Sequence, residues 1–319
     1  MRRFALFTLL LAVSISCSSS RKTTIAVIPK ATSHSFWNAI HAGAVKASKD
    51  LDVDILWQGP AKEDDREMQI NVVQNFVSRG VDAIVLAPLD ETALVRPVRA
   101  ALKRKIPVVI IDSDLKEALY SSFVATDNYA GGKLAAEKLA GLLIGKGNVL
   151  MMRYTEGSAS TTNRERGFLD GMKENAPGIN LVSTDQYAGV TMESALKVGQ
   201  NLLNRYTDLD GIFCANESST FGMLRALETA GKAGKIRFIG FDSSEPLLAG
   251  LKSGGIDGLV LQNPFKMGYL GVATAAEVLR GKTVQPRIDT GVCMVTRENL
   301  EDPAIRELLE PDLAKWLGE

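Results

Sequence analysis

The sequence predicts an α/β protein of two similar Rossmann-like lobes with parallel sheets, joined by a multi-strand hinge. Three observations carry that expectation. Short β-rich runs alternate with longer helical patterns, the signature of βαβ units and a parallel sheet. The same alternation occurs twice along the chain, and a third strand–helix–strand piece follows it. A chain that returns to its first lobe and ends near its second crosses between them several times.

The first set of strands is "TTIAVI" (23–28), "VDILW" (53–57), "AIVLA" (83–87) and "PVVIID" (107–112). Between them, segments such as "REMQINVVQNFVSRG" and "TALVRPVRAALKRK" place apolar residues at helical spacing. The second set is "NVLMM" (148–152), "INLVST" (179–184), "GIFCA" (211–215) and "IRFIGFD" (236–242), with "TNRERGFLDGMKEN", "TMESALKVGQNLLNRY" and "TFGMLRALETAG" as helices. The third piece is "DGLVLQN" (257–263) and "DTGVCMVT" (289–296) around the helix "MGYLGVATAAEVLRG", and the acidic tail "NLEDPAIRELLEPDLAKWLGE" reads as a helical surface appendage.

The stretch "SHSFWNAIHAG" (33–43) opens the first helix. Ser33 or Ser35 supplies a cap, and Phe36, Ile40, Ala44 and Ala47 follow a buried stripe. Trp37 lies about 100° round the helix from Phe36, beside polar cap residues. The pattern leaves two readings of it open, a core side chain or a ligand platform.

At 319 residues, 45% hydrophobic and 23% charged, the chain can bury a large core. Lys plus Arg equals Asp plus Glu at 37 each, so no net field favours nucleic acid or an anionic surface. The first residues are more specific. Met1-Arg2-Arg3, the apolar run "FALFTLLLAVSI" and then Ser16-Cys17-Ser18-Ser19-Ser20 read as an export signal, the apolar run being short for a membrane span. Cys17 stands where a bacterial lipoprotein signal carries its lipidated cysteine, although Ser14 replaces the usual Leu; cleavage without lipid is the alternative. The expected compartment is the periplasm, with the chain anchored as a lipoprotein. Cys214 and Cys293 sit in apolar runs and read as buried thiols, not as a disulfide framework.

In open parallel sheets, ligands bind outside the carboxyl ends of the strands. Those positions hold His34 to Trp37, "PLD" (88–90), "DSD" (112–114), "EGSAS" (156–160), "QYAG" (186–189), "NESS" (216–219), "DSSE" (242–245) and "QNP" (262–264). Carboxylates and amides beside aromatic faces are the wall chemistry of a polyhydroxylated ligand, since hydroxyls need acceptors and the C–H face of a sugar needs a ring. Taken singly, Asp112 and Asp242 could equally cap a helix, and Asn216 could serve a turn.

Enzyme signatures are missing. "GLLIGKG" has three residues between Gly141 and Gly145 and no Ser or Thr after Lys146, unlike a phosphate loop, and neither G-x-S-x-G nor H-E-x-x-H occurs. The two histidines, His34 and His41, stand roughly 10 Å apart along a helix, too far to chelate one metal. No metal or other cofactor and no enzymatic activity are expected.

The chain resembles the periplasmic sugar-binding proteins of ABC importers, specifically the ribose-binding-protein group, whose fold is shared by the effector domains of lactose-repressor-type regulators. The resemblance runs from about Thr23 to Thr296 and is carried by "SFWNAIHAGAVKAS", "GVDAIVLAPLD", "IPVVIIDS", "ATDNYAGGKLAAEKL", "RERGF", "NESSTFGMLRALETAGK", "FIGFDSS" and "LVLQNPFKMGYLG". It implies a sugar held in the interlobe cleft by His34, Phe36 and Trp37 in the first loop, Asp112 and Ser113 after the fourth strand, Arg166, Asn216 and Asp242 in the second lobe, and Gln262 at the hinge. His34 departs from the family's Asn and Ser113 from its Arg, and the second-lobe aromatic falls near Val190, with Tyr187 a substitute.

The resemblance further implies lobe closure about Thr126, Gln262 and Gly291. The expected division is 1–22 as signal peptide and lipoprotein tether, 23–126 plus 263–291 as N-terminal lobe, and 127–262 plus 292–319 as C-terminal lobe with helical tail. The implied partners are a small-molecule sugar, an ABC transporter permease and, through the lipid, the membrane, the protein itself being a monomer. A sensory protein for a sugar or furanone-like signal, acting on a chemoreceptor or kinase, is the alternative. A transcription regulator is disfavoured because the export signal occupies the place of a DNA-binding motif.

Overall fold

The computed structural model describes residues 21–32 and 34–318. The N-terminal lobe is built on strands β1 (Thr24–Ile28), β2 (Asp54–Trp57), β3 (Ala83–Leu86), β4 (Val108–Ile111), β5 (Ser122–Ala125) and β11 (Arg287–Asp289). They form one parallel sheet in the order β11-β5-β4-β3-β1-β2. Helices α1 (Ser35–Leu51) and α9 (Pro264–Leu279) cover one face, and α2 (Arg66–Arg79) and α3 (Val95–Lys103) cover the other. Because both faces are covered, β3 and β4 are buried along their whole length, which is why "AIVL" and "VVII" are continuous apolar runs without alternation.

The C-terminal lobe repeats the plan. Its strands β6 (Gly147–Arg153), β7 (Ile179–Tyr187), β8 (Gly211–Cys214), β9 (Arg237–Phe241), β10 (Gly258–Gln262) and β12 (Val292–Val295) lie in the order β12-β10-β9-β8-β6-β7, with only β12 antiparallel to its neighbour. Helices α4 (Asn128–Leu142) and α5 (Ala159–Asn175) pack on one face, and α6 (Met192–Arg205), α7 (Glu217–Thr229) and α8 (Glu245–Ser253) on the other.

In both lobes, helices come into backbone contact through glycines. A methyl group on Gly43 or Gly268 would fall 2.0 Å from a carbonyl oxygen of the opposing helix in the α1–α9 pair. In the α4–α5 pair, one on Gly132 would fall 1.9 Å from the Arg164 carbonyl, and one on Gly167 would fall 2.1 Å from that of Tyr129. No side chain fits such a gap. The close approach of α5 to α4 fixes the start of α5, and with it Arg164, beside the first residue of α4.

Three segments cross between the lobes, at Thr126–Asp127, Gln262–Asn263 and Thr290–Gly291. Thr126 Oγ1 lies 3.2 Å from Thr290 Oγ1 and 3.2 Å from the Gly291 carbonyl. Asp289 Oδ1 accepts from the backbone N–H of Asp127 (3.2 Å) and of Gly291 (3.0 Å). Two crossing strands are thus tied side by side by hydrogen bonds, with Gly291 at φ 93° supplying the turn between them.

Four features differ from the sequence reading. "SFVA" forms β5, a strand that the sequence reading did not single out. "DTGVCMVT" is not one strand: the chain breaks at Gly291 and its two halves join different sheets. The N-cap of α1 is His34, with no side-chain cap hydrogen bond, while Ser35 is the first helical residue; Ser33 lies outside the described residues. Finally, the tail serves both lobes. Ile305 of α10 (Pro303–Leu309) joins the C-terminal core, whereas α11 (Leu313–Leu317) returns to α1, with the Trp316 ring under Lys46 and Lys49.

Among the described residues no helix is long and apolar enough to cross a membrane. Cys17 and the whole signal region lie outside them.

Candidate ligand-binding site

The carboxyl ends of both sheets face a common cavity. The N-terminal lobe lines it with Lys30, His34, Phe36, Trp37, Glu63 and Asp112. The C-terminal lobe adds Tyr154, Ser158, Ser160, Thr161, Arg164, Asn216, Glu217, Ser218 and Asp242, and Gln262 closes the hinge side. The cavity volume is about 40 Å³. The lobes are drawn together across it. Ser160 accepts from Lys30 Nζ (3.2 Å) and its N–H donates to Ser113 Oγ (3.1 Å), while the Glu91 N–H donates to the Gly157 carbonyl (2.9 Å). This is a closed arrangement of the two lobes.

Among the residues expected at the site, His34, Phe36, Trp37, Asp112, Asn216, Asp242 and Gln262 line this cavity. Two do not. Ser113 is buried but spends its hydroxyl on the Ser160 N–H. Arg166 lies on the outer side of α5, bonded to Asn163 and placed over Tyr129. The arginine that reaches the cavity is Arg164. Two residues along a helix turn a side chain through about 200°, so only one of the two arginines in "RERGF" can point inward.

Trp37, only 2% exposed, packs as a core side chain and borders the cavity as well. Its indole N–H donates to Glu63 Oε1 at 2.7 Å, and Phe36 meets it edge-on at 5.0 Å. A buried indole N–H needs such a partner. Glu63 in turn accepts from the Tyr154 hydroxyl, which ties the first lobe to the second. Tyr154 is thus the ring that the second lobe contributes; Tyr187 is not a lining residue and stacks with Arg153.

The buried charges form a connected network. Lys30 pairs with Asp112 Oδ2 at 2.7 Å. The Asp112 carbonyl accepts from Asn128 Nδ2 (3.4 Å), whose Oδ1 accepts from Arg164 Nε (2.7 Å). Arg164 Nη1 donates to the Ala215 carbonyl (3.0 Å) and stands 3.7 Å from Asp242 Oδ2, with the guanidinium 3.8 Å above the Phe241 ring. Asp242 also accepts from Gln262 Nε2 (2.6 Å) and from the Glu217 N–H (3.3 Å). Burial pushes Asp242 up from the ordinary carboxylate range, against the pull of Arg164 and Gln262. Burial likewise lowers Arg164, opposed by Asp242 and Asp112. Burial, then Asp242 and Glu63, push Glu217 up to about 8.

Asn216 caps α7, its Oδ1 accepting from the Ser219 N–H, and it lines the cavity as well. Lys30, Glu63, Asn128, Tyr154, Arg164 and Glu217 were not singled out from the sequence. The strand-end rule reaches three of them: Lys30 follows β1 by two residues, Tyr154 directly follows β6, and Glu63 lies in the loop after β2.

Residues 25–283 match the family model described as periplasmic binding protein domain. The chain belongs to the periplasmic binding protein family. As a member of that family it is a binding protein, not an enzyme. Among its relatives is a D-ribose/D-allose-binding protein of Pseudomonas aeruginosa, 31% identical over 93% of this chain and 99% of that one. A solute-binding protein of Agrobacterium vitis with bound D-fucose is 40% identical, covers 90% of this chain and 99% of its own, and superposes with a TM-score of 0.86. One from Agrobacterium radiobacter in complex with D-arabinose is 36% identical, covers 91% and 100%, and has a TM-score of 0.88. In this periplasmic binding protein the cavity between the lobes lies where Lys30, Asp112, Arg164 and Asp242 converge.

Proposed function

We propose that this chain captures one neutral monosaccharide between its closing lobes and delivers it to an ABC permease, with Asp112 and Asp242 as the principal acceptors for sugar hydroxyls. The observation that carries the reading is that each lobe presents an aspartate to the same cavity, beside the rings of Phe36, Trp37 and Tyr154. Ionised carboxylates accept hydrogen bonds from hydroxyls, and ring faces cover C–H surface. Lys30 and Arg164 hold those carboxylates in place, so little reorganisation is left to the ligand. The sugars named for the relatives, pentoses, a hexose and a 6-deoxyhexose, support a neutral monosaccharide of five or six carbons. The roles of His34, Phe36, Trp37, Asn216 and Gln262 as ligand contacts belong to the same reading. The test is calorimetric titration of the mature chain with D-ribose, D-allose, D-arabinose and D-fucose. One-to-one binding of at least one of them is expected, and no heat from any of the four counts against it.

We also propose that the mature chain is held at the membrane through a lipid on Cys17, a reading that rests on the sequence "SISCSSS". Cys17→Ala should release the protein from the membrane fraction. A parent protein that already fractionates as soluble would refute the anchor.

A further inference from the structure

More carboxyl groups than cations line the cavity. The carboxyl groups are four, Glu63, Asp112, Glu217 and Asp242, against Lys30 and Arg164. Three of the four are compensated. Asp112 has Lys30 at 2.7 Å. Asp242 has Arg164, the Gln262 amide and the Glu217 N–H. Glu63 receives the Trp37 indole N–H and the Tyr154 hydroxyl.

Glu217 is supported more weakly, by one long hydroxyl hydrogen bond and no cation. It is the first residue of α7, 7% exposed, and among the described residues no cation pairs with it. From α1, Ser35 Oγ donates to its carboxyl across the lobes at 3.5 Å. The charged groups turned toward it are Asp242 at the end of β9 and Glu63 in the loop after β2, both acidic. The other titratable groups of the cavity are Arg164 on α5, engaged with Asn128 and Ala215, His34 at the start of α1, Lys30, bound to Asp112, and Tyr154, bound to Glu63. An isolated ionised carboxylate in such a place is far costlier than a neutral one.

We propose, resting on the sugar-binding reading, that Glu217 is a specificity-determining residue that stays protonated at neutral pH and gives the ligand an O–H donor. Asp112, Asp242 and Glu63 each already face donors, Lys30, Arg164 and Gln262, and Trp37 and Tyr154, so they meet the ligand as acceptors and read hydroxyl hydrogens. A protonated Glu217 reads the complementary feature, a ligand oxygen that has no hydrogen to give, such as the oxygen of a sugar ring. Burial and the two neighbouring acids push its carboxyl up to about 8. Ligand binding excludes the remaining water and favours the protonated form further. Affinity therefore holds steady below that value and falls as the pH rises through it, by roughly tenfold per pH unit once Glu217 ionises in the free protein.

Two readouts test this on the mature chain. The first is the infrared difference spectrum of the unliganded protein between about pH 6 and about pH 9.5, a range that spans an ionisation near 8. It should show a protonated-carboxyl carbonyl band at the lower pH that is absent in Glu217→Gln. The second is calorimetry over the same range with whichever of D-ribose, D-allose, D-arabinose and D-fucose binds the parent most tightly. The parent should lose affinity on the alkaline side, and Glu217→Gln, whose amide donates at every pH, should show a flat profile. A missing band, a flat parent profile, or a slope that survives in Glu217→Gln overturns the proposal. If none of the four sugars binds at any pH, the sugar reading fails by itself, and the infrared band still decides the protonation state of Glu217.

Discussion

Asp112 and Asp242 hold the same position in their two lobes. Each directly follows a central strand of its sheet, β4 or β9, and each takes a left-handed backbone conformation, φ 62° and 68°. Each donates its N–H to a carbonyl on the next strand, Val124 at 3.1 Å for Asp112 and Val260 at 2.8 Å for Asp242. The left-handed turn lifts the carboxylate off the sheet edge into the cavity, and Asp or Asn is the non-glycine residue type that tolerates it best. Replacement by Asn keeps the backbone and the shape while removing the charge. Asp112→Asn and Asp242→Asn should each weaken sugar binding by about 1.5–3 kcal/mol, the range for hydrogen bonds to charged groups. Calorimetry on the two variants checks it.

Arg164 and Arg166 give opposite expectations. Arg164 is buried and bonds Asn128, the Ala215 carbonyl and Asp242, so Arg164→Ala leaves buried acceptors and an unpaired acid; a loss of about 3–5 kcal/mol of folding stability is expected. Arg166 is exposed, hydrogen-bonds Asn163 on its own helix and lies over the Tyr129 ring, so Arg166→Ala should cost no more than about 0.5–1 kcal/mol, the range of an exposed cation–π contact. Denaturant melts of the two variants separate them.

Trp37, Glu63 and Tyr154 link the lobes through one carboxylate. Tyr154→Phe removes the interlobe hydroxyl without touching the Trp37–Glu63 bond. Sugar affinity should fall by about 1.5 kcal/mol or more, since the lost bond is to a carboxylate, and the unliganded protein should be wider in small-angle scattering. In the closed form Trp37 is 2% exposed. With Trp57 and Trp316 replaced by Phe, its fluorescence should be better shielded from acrylamide once ligand is bound.

Glu217 also bears on folding. Its carboxyl is raised from an ordinary 4.5 to about 8 in the native state, so between those values the folded protein holds a proton that the unfolded chain has released. Stability gained from that group is present below about 4.5 and is lost as pH climbs toward about 8. The melting temperature of the parent should therefore drop over that interval relative to Glu217→Gln, in which the slope from this group is gone.

The alternation of strands and helices was legible because each sheet is covered on both faces, which makes its strands short apolar runs and its helices amphipathic. The site was legible where a residue type is itself informative, as with Asp112 and Asp242 at strand ends. It failed where only three-dimensional facing decides. "RERGF" offers two arginines, and the inward one is marked by its stripe, Arg164, Phe168 and Met172 at i, i+4 and i+8, all buried. Glu63 was hidden in the polar loop "AKEDD", where nothing distinguishes the one acid that reaches Trp37 from those in solvent. Glu217 was read only as one residue of the polar strand-end segment "NESS"; its meaning comes from the acids of other elements, which a linear pattern does not bring together. The tail could not be assigned to one lobe because it packs on both.

The most direct test of the two-lobe sugar site is a calorimetric titration of the parent, Asp112→Asn and Asp242→Asn with the tightest binder among D-ribose, D-allose, D-arabinose and D-fucose. One site per chain is expected, with both substitutions weakening it by about 1.5–3 kcal/mol because each lobe contributes one acceptor. Parent-like affinity in either variant, or no saturable binding to the parent, would contradict a ligand held between the two aspartates.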